Sequence, residues 1–467
     1  MTTRTRAIAA ALCLIATPAL ADALVPHPQA EAQVLDLTKQ LVAIRSVKGE
    51  NNRTVDADKA IGDALLAGGW TSADIAIEPL NDTSYLIATW KGSDPSLKPL
   101  VISGHLDVVE ANPKDWQRDP FTPIIENGML FGRGSSDMKF NAALAAATLI
   151  EMRRTGHTPR RTIVLEFSGD EETAMATSQV IARKLKNAEL VINIDGVGGA
   201  LDEKTGKPLY WTWKGAEKTY NDYQLEVTNP GGHSSAPRAD NAIVQLARAL
   251  ENIGKYQFKP EQNSLTKAYF VKAAGFESDA RLAAAMRAFA VNMNDARALK
   301  VLRANPSFIG KIGTTCVPTM VSAGHAPNAL PQRATANINC RIFPGHTREE
   351  IRKALETIAA VKQLRVTDAT GNETTFAPAS PMRPDYVAAV EKTMGLIHPG
   401  LPVIPSQSSG ASDSMWFRAI GVPSYGTSPV FIKDSDEFAH GLNERVPLNN
   451  IAPGITFYLS LFTDLSR

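Results

Sequence analysis

Three cysteines in 467 residues, almost no net charge and no long apolar run past the first twenty residues set the first limits on this chain. With 49 Lys and Arg against 48 Asp and Glu the formal charge is +1, which argues against wholesale nucleic-acid binding. No stretch beyond the N-terminus offers the roughly 20 apolar residues that a membrane-spanning helix needs. Internal repeats and low-complexity tracts are absent as well. Cys13 falls in the apolar N-terminal run, which leaves Cys316 and Cys340. Two thiols make no disulfide scaffold and, without a histidine pattern beside them, a poor metal site. Export would permit them to pair, but the expectation is burial as small apolar side chains.

The N-terminus has its own logic. Arg4 and Arg6 precede "AIAAALCLIA", and "TPALA" supplies an Ala-x-Ala site ending at Ala21. That is the pattern of a secretory signal over residues 1–21. It predicts a periplasmic or secreted mature chain starting near Asp22, with no membrane attachment after cleavage. Cys13 lies inside the apolar run and is badly placed for lipid attachment.

An apolar content of 44% with 21% charged residues belongs to a soluble globular protein, and the length calls for more than one core. From about 34 to 200, helical spacing ("VLDLTKQLVAI", "ADKAIGDALLAGGW", "NAALAAATLIEMRR") alternates with short apolar strands ("SYLIATW", "PLVIS", "TIVLEFS", "LVINI"). Such strands imply an α/β fold whose mostly parallel sheet is covered by helices on both faces. Near 210 the pattern changes to alternating strands ("YNDYQLEVT", "CVPTMVSAG", "RATANINCRIF", "QLRVTDA") mixed with helices, and the α/β pattern returns after about 380. The expected organisation is a catalytic domain over 22–208 and 379–467, interrupted by an α+β lid over 209–378. Charge divides unevenly: Lys204 to Pro378 hold 23 Lys and Arg against 14 Asp and Glu, and the remainder 26 against 34. A basic insertion thus accompanies an acidic main domain, and such a pair would attract acidic peptides such as oligo-aspartate.

Chemistry-bearing residues recur at the ends of the apolar strands. "SGHLDVV" carries His105 and Asp107; "GRGSSDMK" puts Asp137 directly before a helix; "FSGDEE" carries Glu171 and Glu172; "INIDG" ends in Asp195; "EFAHGLNERV" supplies His440. In an open α/β sheet the carboxyl ends of the strands face one crevice. Crowded carboxylates repel one another unless cations lie between them, and a His plus Asp/Glu set without cysteine suits zinc, with cobalt or manganese also acceptable. Ligand counting gives two ions: His105, Asp137 and Asp195 for one, and Asp137 bridging to a second held by Glu172 and His440. Asp107 is left to orient the His105 imidazole. Glu171 is left to act as general base and then as proton donor to the leaving amine.

In order and spacing, "SGHLDVV", "GRGSSDMK", "GDEE", "NIDG", "GGHSS" and "FAHGLNERV" resemble the two-zinc metallopeptidase family of aminoacylase, carboxypeptidase G and carnosinase. The longer lid looks more like the carboxypeptidase S branch and its secreted N-acyl-amino-acid hydrolase relatives, and secreted bacterial poly(aspartic acid) hydrolases are among the similar proteins. The resemblance implies the same five ligands, Glu171 as base and Asp107 as the ligand-orienting carboxylate. It further implies that His233 polarises the scissile carbonyl, often across a dimer, and that Asn328, Arg341 and Gly410 hold the substrate's terminal carboxylate. A homodimer through the lid is expected from it. The leading functional expectation is a metal-dependent exopeptidase cutting an amide next to a free carboxylate. An N-acyl-amino-acid amidohydrolase is the alternative, and a catalytically silent metal-dependent binding protein a minor one.

Overall fold

The computed structural model describes residues 25–467, so the expected signal segment lies outside the described residues. A ten-stranded mixed sheet organises the larger part of the chain. At its centre the strands Leu100–His105, Ile163–Ser168, Leu190–Asn193 and Ser424–Gly426 run parallel to one another. Antiparallel strands, Ile75–Leu80 and Thr83–Trp90, finish one side.

Every residue of Leu100–His105 and Ile163–Ser168 is buried. Alternate residues serve opposite faces: Leu100, Ile102, Ile163 and Leu165 join one core, while Val101, Val164 and Val191 join another. A strand buried on both faces has no polar side, which is why these segments read as unbroken apolar runs. The first core includes the helices Pro28–Val42, Lys139–Arg154 and Ile451–Leu465. The middle one is buried from Lys139 to Met152, and its run of small alanines lets its neighbours approach closely. Helices Ala176–Lys184 and Ser414–Ala419 cover the opposite face.

A second, antiparallel sheet takes the order Thr315–Ala323, Arg333–Ile342, Thr219–Thr228, Leu364–Asp368. Its inward side chains (Tyr223, Leu225, Val227, Ala336, Ile338) pack under the helices Ala242–Lys255 and Arg348–Ala359. Three helices, Ser264–Ala273, Ala280–Val291 and Ala296–Arg303, enclose a separate small core around Phe270, Phe289 and Leu302.

Two sequence expectations need correction. The change of unit does not fall at 209: Pro208–Glu217 is a strand of the large sheet, paired with Val403–Ser408, and the chain passes to the second sheet at Lys218. Its aromatic, half-polar text ("PLYWTWKGAE") hid its place in the first core, where Trp211 and Trp213 are buried. Cys316 and Cys340 are not separate thiols but a disulfide. They stand directly opposite each other on neighbouring antiparallel strands, with Cα atoms 4.1 Å apart. Only the strand register reveals that proximity, which a separation of 24 residues conceals.

Candidate metal centre

The parallel strands deliver their C-terminal ends to one edge of the sheet, and the acidic and histidine side chains collect there. His105 ends its strand opposite Ser168, whose own strand continues into Glu171 and Glu172. Asp195 follows Leu190–Asn193 by two residues. Asp137 lies two residues before the helix Lys139–Arg154, after a tight turn in which Gly134 takes φ +82°, a conformation that favours glycine. Gly104 lets the chain pass close to Met138: a Cβ there would stand 2.4 Å from the end of that side chain, which would have to shift. His440 enters from a loop with φ 62°.

Asp137 occupies the middle. One of its oxygens lies 3.1 Å from His105 Nε2 and the other 3.2 Å from His440 Nε2. Glu172 meets His440 at 2.9 Å, and Asp195 approaches His105 Nε2 at 3.9 Å. Two triads result, His105–Asp137–Asp195 and Asp137–Glu172–His440, and within each one the ligand atoms lie within 4.8 Å of one another. His105 and Glu172 also group with Glu171 at this spacing. The donor set is nitrogen and carboxylate oxygen only, the set that zinc and similar ions accept, and the shared carboxylate suits a paired site. All five residues expected to be ligands are thus brought together.

The electrostatics fit ion binding. Burial works against charge on His105, yet its hydrogen bonds to Asp107 and Asp137 hold it protonated well above the usual imidazole range. Burial would raise Asp137, but His105 and His440 keep it far below the ordinary carboxylate value. Asp137 and Glu172 lift His440 to about 10. Burial raises Asp195 to about 6 and pushes Glu172 up as well. Protons on the imidazoles here do the work of cations, drawing the carboxylates together.

Glu171 is buried, its carboxylate makes no hydrogen bond to a described residue, and burial raises its pKa well above the normal range. Asp107 is placed differently from the expectation. Its backbone oxygen, at 3.0 Å, is the nearer partner of His105 Nδ1, with its carboxylate at 3.6 Å. That carboxylate accepts hydrogen bonds from the backbone N–H groups of Glu171 and Glu172 and so fixes the turn that presents them.

The remaining expected residues sit outside this cluster. Exposed His233 lies on a two-residue strand paired with Ala329–Leu330, and its Nδ1 meets the Ser235 hydroxyl at 2.7 Å. The Asn328 carbonyl accepts from the Ser234 N–H, so these two residues form one group. Arg341 lies over the Tyr220 ring and donates to the Ser409 carbonyl, directly before Gly410.

Glu444 was missed, although the motif that contains it was recognised. Fully buried, it accepts from Arg133 at 2.6 Å and from the backbone N–H groups of Gly134, Ser136 and Asp137. Arg133 also donates to the His440 carbonyl, so this pair ties together the two loops carrying Asp137 and His440. The available signal was a carboxylate four residues after a metal-type histidine.

Against known proteins, the sequence model of Peptidase family M20/M25/M40 matches residues 101–464, a span that includes all five clustered ligands. The chain belongs to peptidase family M20/M25/M40. It is 29% identical to the Xenopus tropicalis N-fatty-acyl-amino acid synthase/hydrolase PM20D1 over 84% of this chain and 77% of that protein. A probable carboxypeptidase S-like 2 of Dictyostelium discoideum is 25% identical over 82% of this chain and 74% of its own length. In fold it resembles the M20 family metallo-carboxypeptidase Sso-CP2 of Sulfolobus solfataricus, with a TM-score of 0.69 and 18% identity, covering 93% of this chain and 99% of that one. The M20/M25/M40 chain is accordingly a metal-dependent hydrolase of the peptidase and amidohydrolase kind.

Proposed function

We propose that this hydrolase is an exopeptidase of the carboxypeptidase or dipeptidase type, cutting an amide whose leaving amine carries a free carboxylate. The observation that carries it is the pair of ligand triads sharing Asp137, with Glu171 beside them and free of other hydrogen-bonding duties. His105, Asp137 and Asp195 would hold one ion and Asp137, Glu172 and His440 the other. Bound there, two divalent cations would polarise the amide carbonyl and make water acidic enough to ionise near neutral pH. Glu171 takes the proton from the attacking water and returns it to the leaving nitrogen, a role suited to a carboxyl whose burial keeps its proton affinity high. Arg341, stacked on Tyr220, presents a planar fork matched to a carboxylate.

The identity to N-fatty-acyl-amino acid synthase/hydrolases favours a second reading, N-acyl-amino-acid hydrolysis, in which the same arginine holds the same carboxylate. Turnover of a dipeptide and of the N-acyl derivative of its C-terminal residue, with zinc, cobalt and manganese each restored to chelator-stripped protein, separates the two. Hydrolysis of neither by any metal form would overturn the assignment.

A homodimer and an exported location belong to the same proposal. Val317, Met320 and Val321 on an edge strand and Ile243 and Val244 on the helix Ala242–Lys255 are exposed apolar side chains that support pairing of two copies. Exposed His233 would then serve the centre of the partner. The Cys316–Cys340 disulfide supports an oxidising compartment. Light scattering of the purified chain and cell fractionation test these two points.

A further inference from the structure

Arg341 lies on the polar face of the second sheet and forms no ion pair with a described residue. The helices cover the face that carries Tyr223, Leu225, Ala336 and Ile338, so Tyr220, Asp222, Asn337, Asn339 and Arg341 share the opposite one. Tyr220 stands directly across from Arg341, and Asp222 across from Asn339, one diagonal step from the arginine. The guanidinium carbon is 4.7 Å from the centre of the Tyr220 ring, and the side chain donates to the Ser409 carbonyl at 3.2 Å.

A carboxylate is therefore close by, but other donors hold it. One oxygen of Asp222 accepts from the Asn337 amide at 2.8 Å and from the Asn339 amide at 2.9 Å, and the other accepts from the Tyr220 hydroxyl. Burial alone would raise Asp222, yet Tyr220, Asn339, Asn337 and Arg341 bring it below the ordinary carboxylate value. The arginine feels the acid in turn: burial pulls Arg341 below the usual guanidinium range, and Tyr220 and Asp222 oppose that pull. Attraction without an ion pair sets Arg341 apart on this face. Arg333, near the other end of the same strand, pairs with Glu226, which is also one diagonal step away. Long side chains bridge such a diagonal readily, so a free acid at Asp222 would draw Arg341 into the same kind of pair.

We propose that Tyr220 keeps Arg341 open to substrate: its ring carries the guanidinium, and its hydroxyl, with Asn337 and Asn339, occupies the acid that would otherwise take the arginine. This rests on the amide-hydrolase reading, in which Arg341 binds the free carboxylate of the substrate. Asp222 remains a negative neighbour that supports the arginine's charge in a half-buried place, while the fork of N–H donors is left for the incoming carboxylate. Tyr220 and Asp222 touch no reacting atom and are positioning residues.

Phenylalanine at 220 isolates the hydroxyl, because the ring stays and Asp222 loses one donor. The test measures kcat and KM for an amide whose leaving amine carries a free carboxylate and for its carboxamide counterpart. It uses metal-loaded wild type, Tyr220→Phe, Tyr220→Phe with Asp222→Asn, and Arg341→Met. Tyr220→Phe should raise KM for the acid by about tenfold, the weight of one charge-assisted hydrogen bond, with kcat within about threefold. The carboxamide's kcat/KM should likewise move by less than about threefold. Adding Asp222→Asn removes the competing acid and should return KM to within about threefold of wild type, a rescue that a merely structural hydroxyl would not permit. An unchanged KM in Tyr220→Phe, or a double variant as impaired as the single one, overturns the proposal. Arg341→Met should raise KM for the acid by about 30-fold or more. If it does not, or if the wild type cleaves neither substrate, the amide-hydrolase reading of Arg341 falls and the proposal falls with it.

Discussion

Replacing Glu444 by Gln tests how the centre is assembled, because this side chain touches no expected ligand side chain yet holds the backbone of one. One carboxylate oxygen accepts from the N–H groups of Ser136 and Asp137, and the other from Arg133 and the Gly134 N–H. The amide keeps an acceptor for the first pair. Its NH2 group then faces two donors, and Arg133 remains buried with its charge uncompensated. Breaking a buried ion pair from one side costs about 3–5 kcal/mol. Loss of an outer hydrogen-bond partner weakens metal binding by about 10–100-fold. The variant should therefore unfold at markedly lower urea, and zinc titration against a chromogenic chelator should show the matching loss of affinity. Arg133→Met combined with Glu444→Gln removes the stranded charge and should recover part of the stability. A single variant whose stability lies within about 1 kcal/mol of wild type, and whose zinc affinity lies within about twofold, would refute the cradle.

The centre was legible in the sequence because parallel strands buried on both faces leave an unmistakable mark. Their apolar runs stop at the carboxyl edge, and His105, Asp107, Glu171, Glu172 and Asp195 stand just past those stops. Strand polarity then sends them all to one edge of the sheet without any knowledge of strand order. Features that depend on pairing were not legible. Cys316 and Cys340 meet through the register of two strands, and Pro208–Glu217 enters the large sheet beside Ser424–Gly426, far along the chain, with Val403–Ser408 added on its flank. Glu444 stayed hidden because its partners are an arginine 311 residues earlier and backbone N–H groups, which carry no sequence signature. The placing of His233 and Asn328 away from the centre has the same origin: their motifs name residues, and the path of a loop decides what those residues reach.

Glu171→Gln should keep both metals by elemental analysis and lose about 100–10,000-fold in kcat, since only the proton carrier is removed; full activity would dismiss Glu171 as the base. Cys316→Ser with Cys340→Ser should cost about 3 kcal/mol in urea unfolding, because the bridge closes a separation of 24 residues; an unchanged midpoint would show that the strand pair needs no cross-link. Asp58→Asn carries the pH dependence. Burial raises the Asp58 carboxyl to about 7 from an unfolded value near 3.8, against the opposing hydrogen bond from Ser84. Between those values the folded chain keeps a proton that the unfolded chain has released, so this group makes stability fall as pH rises from about 4 to 7 and then level off. Asparagine stays neutral throughout. The variant's stability relative to wild type should thus climb across that window, to an upper bound of roughly 4 kcal/mol above pH 7. Urea unfolding of both proteins at pH 4.5 and pH 8 reads the difference directly, and parallel pH profiles would mean that the Asp58 carboxyl is ionised in the folded state as it is in the unfolded one.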